Sequence, residues 1–202
     1  MGEKEPKAVD AAGGPAPGFF SAIGNSDERA FFFVFRKTRN PVFDVVMPML
    51  SAAANRGVGI ILLGAALIAV GGKMRGAGVA MLACAGAAGL FTELVAKKAW
   101  FRARPFMAIP GVKPRISHER LRRRSSFPSG HSAGYFAGAV SLSIYMGDAR
   151  LAVVFCAVAA LGAYSRVYNG VHYPSDVIAG SASGIIFALS IMHFLMPVVS
   201  GL

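Results

Sequence analysis

The chain has 202 residues, 54% of them hydrophobic and only 15% charged, with a mean hydropathy of +0.53. A soluble domain of this length would carry about a quarter charged residues, and here the apolar residues lie in long runs, so an ordinary soluble globule is excluded and a polytopic membrane protein is indicated. The net charge of +11 gathers at the ends of those runs and in one loop, which argues against nucleic acid as a partner and for lipid headgroups or a phosphorylated substrate.

Residues 1–17 hold Glu, Lys, Pro, Gly and Ala with no apolar stretch. They read as a disordered tail rather than a signal peptide, ahead of a single domain over residues 18–202. Asp27-Glu28-Arg29 then precedes a Phe-rich segment flanked by Arg36, Lys37 and Arg39, a pattern that suits a helix lying at the membrane interface. Asn40-Pro41 breaks it. Residues 41–54 are apolar but short and interrupted by Asp44, and fit a span or a re-entrant helix equally; Asp44 reads as a buried structural hydrogen-bonding group.

Clearer spans follow at 58–72, 76–96, 132–146, 151–164 and 177–199, near the roughly 17–25 residues a crossing helix needs. The fold class expected is all-α, a polytopic membrane helical bundle of about five to six transmembrane helices. Cys84 and Cys156 lie within apolar runs and read as small buried hydrophobes. Residues 99–127 form a polar, very basic connection ending in Arg122-Arg123-Arg124. Alternation of the spans puts the Lys97 end, this basic loop, the His131 end and the 166–176 connection on one membrane face. The turns at 73–75 and 147–150 fall on the other.

Three patches on that face carry chemistry. The first is Lys97 with Arg104-Pro105; seven residues are nearly two helical turns, so the two cations share a face if the helix continues to Arg104. The second is Pro128-Ser129-Gly130-His131, which opens a span: the N–H groups of a helix start, with Gly130 permitting close approach, form an anion cradle. His131 sits where it could protonate a leaving oxygen. The third is Ser165-Arg166 with His172 and Asp176. Pro174 suits a first helical turn, and the spacing of four brings the Asp176 carboxylate toward a ring nitrogen of His172. Arg166 adds a fork of donors matched to phosphate. Ionisable residues at a bilayer edge are functional candidates in their own right.

Together the patches resemble the signature of the type 2 phosphatidic acid phosphatases, which share a fold with vanadium haloperoxidases: Lys-x6-Arg-Pro, Pro-Ser-Gly-His and Ser-Arg-x5-His-x3-Asp, unbroken and in order between Lys97 and Asp176. The resemblance implies that Lys97, Arg104 and Arg166 hold phosphate oxygens, helped by Ser129 and the Gly130 N–H. It implies that His172 forms a phosphohistidine, oriented by Asp176, and that His131 protonates the leaving oxygen and then activates water. No metal and no cofactor is implied, since fixed cations take the part of Mg2+.

Other polar residues read more plainly. Lys98 and Arg102 read as headgroup-facing, Arg122–Arg124 as a basic rim, His118 and His193 as incidental, Glu93 as a partner of Lys97 one turn on, and Trp100, Phe101 and Tyr173 as interfacial anchors. The implied partners are a lipid phosphate substrate and membrane lipids. The leading substrate is undecaprenyl diphosphate, with phosphatidylglycerol phosphate, phosphatidate and a lipid A phosphate as alternatives. A non-catalytic lipid-phosphate binding or transport protein is the reading of another class, and it leaves the His131, His172 and Asp176 set without a purpose. Counting Lys and Arg places the motif face in the cytoplasm, whereas the resemblance to bacterial members places it outside the cytoplasmic membrane, and several of those cations are spoken for by phosphate. The sequence carries no signal of oligomeric state.

Overall fold

A computed structural model describes residues 18–53, 57–117 and 125–201. Within them the chain forms helices α1 (Gly18–Phe32), α2 (Pro41–Ala53), α3 (Val58–Val70), α4 (Lys73–Phe91), α5 (Lys97–Ala99), α6 (Pro105–Ala108), α7 (Gly130–Met146), α8 (Ala149–Tyr168) and α9 (Pro174–Val199), with no strand among the described residues. A π turn over Thr92–Ala96 joins α4 to α5, so Lys73–Ala99 is one continuous rod of 27 residues.

The centre of the bundle is α7, packed between α4 and α9. Their shared core is built from small residues, with Ala77, Ala80, Cys84 and Ala88 on α4, Ala133 and Ala137 on α7, and Ala188 on α9. Lipid tails supply no hydrophobic drive between helices, so close backbone approach and dispersion contacts must hold such a bundle together. Two glycines make the approach possible. A Cβ on Gly180 would collide with the Ser129 carbonyl oxygen, and one on Gly184 with that of Ala133. The outer surface is the reverse of a soluble protein's, with Leu62, Val153, Val158, Ile178, Ile186 and Phe194 all exposed.

Lys73–Ala99, Ala149–Tyr168 and Pro174–Val199 are long and apolar enough to cross a membrane. Helix α7, at 17 residues, extends about 26 Å at 1.5 Å per residue and runs through the middle of the bundle. Helix α3 has 13 residues, about 20 Å, so the span expected at 58–72 is shorter than the roughly 30 Å hydrocarbon core. Helix α2 is likewise 13 residues and docks by polar contacts on the end of α8. The Asn169 side chain donates to the Met47 carbonyl (3.0 Å) and to Ser51 Oγ (2.9 Å), and the Tyr168 hydroxyl donates to Asp44 (2.7 Å). Asp44 is therefore only part-buried and also pairs with Arg39 (2.9 Å), a correction to its reading as a buried group.

Helix α1 lies across one end of the bundle. Phe31 is fully buried in a second cluster with Ile109, Val112, Val167 and Tyr173, stacked on Phe35 at 5.2 Å. The expected tail, residues 1–17, lies outside the described residues, as do His118 and Arg122–Arg124.

Candidate active site

The direction of each helix decides what meets at this end. Helices α4 and α8 finish here, and α7 and α9 begin here. Backbone hydrogen bonds tie the connections together: Ser126 N–H to the Arg102 carbonyl (2.8 Å), Ser129 N–H to the Asp176 carbonyl (2.9 Å) and Val171 N–H to the Arg166 carbonyl (3.2 Å). The Ser129–Asp176 bond is the polar counterpart of the close approach at Gly180, and it sets the start of α7 against the start of α9.

His172 is buried just before α9, and Arg104 Nη1 lies 3.1 Å from its Nε2. A guanidinium can only donate, so Nε2 must present its lone pair and the ring proton sits on Nδ1. That nitrogen faces Asp176 Oδ2 and Ser126 Oγ, each at 3.4 Å. This is the tautomer a nucleophilic Nε2 requires. Burial, and then the positive charges of Arg104, Arg166 and Lys97, hold the His172 imidazole well below its ordinary value, so it is neutral at pH 7.

The two arginines are anchored by neutral groups. Arg104 donates to the carbonyls of Val171 (2.9 Å) and Ser125 (3.0 Å). Arg166 donates from Nη1 to Ser51 Oγ (2.8 Å), while its Nε is buried with no hydrogen-bond partner among the described residues. A buried orphan donor is costly, and here it belongs to a side chain of the anion-binding type. Lys97 pairs with Glu93, as the spacing of four suggests. A Cβ on Gly130 would meet Glu93 Oε1 at 3.0 Å and Lys97 Nζ at 3.9 Å, so the glycine keeps the mouth of α7 open beside the ammonium. Ser129 caps that helix, accepting from Ser132. His131 lies within electrostatic reach of Arg166, His172, Lys97 and Arg104.

Every residue singled out from the three motifs thus lies at one end of the bundle, but the route differs at one point. Lys97 and Arg104 do not share a helix face. The helix stops at Ala99 and the backbone is extended at Trp100 (φ −130°, ψ 108°) and again at Arg104 (φ −77°, ψ 155°); Pro105 accounts for the second, since it disfavours helix in the residue before it.

Two further expectations are overturned. Arg102 is not headgroup-facing: it is 6% exposed and forms ion pairs with Asp27 (2.6 Å) and Asp176 (2.7 Å). Tyr173 is not an interfacial anchor, being buried with the Arg102 guanidinium 3.9 Å above its ring. Asp27, Ser51 and Ser126 escaped notice as well. One signal was available. In an extended segment residues two apart point the same way, so Arg102 shares the orientation of Arg104, and both are buried. Trp100 and Phe101 are both exposed, in keeping with interfacial anchors.

The residues from Lys97 to Asp176 fall inside a match to the model of the PAP2 superfamily, which covers residues 77–199. The chain belongs to the PAP2 superfamily. Undecaprenyl-diphosphatase BcrC of Bacillus subtilis is 28% identical to it over 155 residues, covering 77% of this PAP2 chain and 76% of that one. The bacitracin transport permease protein BcrC of Bacillus licheniformis is 34% identical over 85 residues, and the match spans 42% of this chain but only 39% of the relative. A crystal structure of a transmembrane PAP2 type phosphatidylglycerolphosphate phosphatase from Bacillus subtilis superposes with a TM-score of 0.65 at 25% identity, covering 86% of each chain. The all-α membrane bundle expected from the sequence is the fold of this protein.

Proposed function

We propose that this protein hydrolyses a phosphate or diphosphate monoester carried on a lipid, through a phosphohistidine at His172. The observation that carries the reading is the ring of His172, whose Nε2 lone pair looks toward Arg104 and whose Nδ1–H looks toward Asp176. In the first step that lone pair attacks phosphorus. The bond to the lipid-side oxygen breaks, and that oxygen takes a proton from His131. In the second step His131 takes a proton from water as the water oxygen attacks phosphorus. The N–P bond breaks, its electron pair returns to Nε2, and inorganic phosphate leaves. Arg104, Arg166, Lys97, Ser129 and the Gly130 N–H stabilise the charge that develops on the equatorial oxygens, the place metal ions fill in other phosphoryl-transfer sites. The arriving phosphate also brings the negative charge beside which His131 can hold a proton.

A site at the end of apolar helices lets the lipid tail stay in hydrocarbon while the headgroup meets the cations. Undecaprenyl diphosphate is the substrate we favour, supported by the relative that matches over the greater part of both chains; phosphatidylglycerol phosphate, phosphatidate and a lipid A phosphate are the alternatives. We place the protein in the cytoplasmic membrane of a bacterium with the site on the outer face. Impermeant thiol labelling of a Lys113→Cys variant in intact cells, in a background lacking Cys84 and Cys156, tests that orientation. Labelling only after lysis reverses it.

The test of the reaction is phosphate release from a panel of detergent-solubilised lipids in EDTA. We expect activity in the wild type and none in His172→Ala. Activity lost to EDTA and restored by Mg2+ would contradict fixed-cation catalysis. Binding of the lipid without release by either protein would favour the transport reading.

A further inference from the structure

The mechanism makes use of Asp176 but not of what stands behind it. Asp176 Oδ2 accepts from the Tyr173 N–H (2.9 Å) and from Ser126 Oγ, and faces His172 Nδ1 at 3.4 Å. Its Oδ1 is taken by Arg102 Nη1 at 2.7 Å. The other arm of the same guanidinium, Nη2, holds Asp27 Oδ2 at 2.6 Å. Asp27 belongs to α1, about 150 residues away in sequence from Asp176, and its Oδ1 accepts the Ser175 N–H at 2.9 Å, in the first turn of α9. A carboxylate in that position also complements the helix dipole. All three charged groups are buried: Asp27 is 7% exposed and Asp176 fully enclosed. Charges held away from water act on one another strongly, so this row is more than a surface ion pair.

We propose that Arg102 is a positioning residue that divides its charge between Asp27 and Asp176, and so sets how strongly Asp176 acts on His172. The inference rests on the phosphatase reading above. It makes α1 part of the catalytic apparatus, since Asp27 governs how much of the Arg102 charge is left for Asp176. If Arg102 gave all its charge to Asp176, the acid would do little to hold the Nδ1 proton. With no Arg102 at all, an uncompensated carboxylate would draw His172 toward the imidazolium, which cannot attack phosphorus. Other charged groups face the same ring: Lys97 at the end of the α4–α5 rod, Arg104 on the connection, His131 on α7 and Arg166 on α8. All of them disfavour the imidazolium, whereas Asp176 Oδ2 is a carboxylate oxygen 3.4 Å from Nδ1, so its strength matters.

The two ends of this row give opposite signs. Removing the positive charge with Arg102→Gln should move the acid limb of kcat/KM upward by about one pH unit. Removing the negative charge with Asp27→Asn, which keeps the shape, should move it downward by a few tenths of a unit. Arg102→Lys keeps the charge but not the fork, so kcat should fall with the limb near its wild-type position and KM little changed. The ionisation of the substrate is common to every variant and cancels from the comparison. If the variants lose thermal stability while the limb stays in place, Arg102 is a structural clamp and the inference is overturned. Should Arg102→Gln fail to fold, the sign of the Asp27→Asn shift decides by itself: downward supports the inference, and no shift or an upward one sinks it. A wild type inert on every lipid would instead refute the proposed function. The His172 ring titration, followed by NMR in the same variants, would then still read the charge row.

Discussion

The bundle carries charged residues at both of its ends, and the two ends treat them differently. At the far end Lys73, Arg75, Asp148 and Arg150 are exposed. Asp148 does no more than cap α8, accepting the N–H groups of Arg150 (2.7 Å) and Leu151 (3.3 Å), and the Tyr145 hydroxyl closes α7 on α9 by donating to the Val199 carbonyl (3.2 Å). At the site end Arg102, Arg104, Arg166, His172 and Asp176 are all buried. Burying a charge is unfavourable unless partners compensate it. Arg102 is compensated by two carboxylates. Among the described residues Arg166 has no carboxylate partner, and its Nε has no hydrogen-bond partner. A fold that only needed solubilising charge at its rims would build both ends like the first. The uncompensated arginine supports the proposal that an anion binds there.

This contrast can be broken from either side. The largest effect is expected for Arg166→Gln, which keeps a polar side chain but removes the charge and the fork. Phosphate release should fall by roughly 10^2–10^3-fold, with Arg166→Lys recovering only part of it because the ammonium cannot hold two oxygens at once. An Arg166→Gln enzyme with near-normal kcat/KM would remove the arginine from the phosphate cradle.

Next in size is the response to pH. His172 is held below the ordinary imidazole value by burial and by the surrounding cations, so the neutral ring that the proposed attack needs persists as the solution is acidified. The acid limb of kcat/KM, corrected for the substrate's own ionisation, should therefore lie below the roughly 6.5 of an unperturbed histidine. A limb at or above that value would mean that the ring is solvated in the working enzyme.

Gly180→Val probes the framework joining the two helix starts. The added side chain would be driven into the Ser129 carbonyl, separating α7 from α9. Thermal stability in detergent and activity should fall together, whereas a loss of activity at unchanged stability would show that the close approach serves chemistry alone. The smallest effect belongs to the far end. Asp148→Ala should weaken α8 by about 1 kcal/mol through loss of its cap, and Arg150→Ala should leave phosphate release within about twofold of wild type, as expected of an exposed surface charge. A large loss of activity from Arg150→Ala would erase the distinction between the ends.

Much of this arrangement was legible in the sequence, for physical reasons. Helices α4, α7, α8 and α9 declare themselves because lipid demands long apolar runs. The residues of the three motifs could be sent to one end by counting crossings. What escaped depends on tertiary contact. Arg102 resembles any other cation at a membrane edge until Asp27, 75 residues earlier, closes over it. Ser126 is one serine in a polar loop until it donates to Asp176. The extended backbone at Arg104 was within reach, because Pro105 disfavours helix there, but the helical spacing of Lys97 and Arg104 concealed it. Tyr173 reads as an anchor because aromatic residues beside cations favour interfaces; here the cation is Arg102 itself, stacked on the ring in the interior.

The central claim is that phosphorus passes through His172 on its way to water. Two successive in-line displacements restore the starting configuration at phosphorus, and a single attack by water inverts it. Hydrolysis of an isotopically chiral phosphorothioate analogue of the substrate, in isotopically labelled water, by the wild-type protein should therefore give chiral inorganic thiophosphate with net retention. Net inversion would contradict the account.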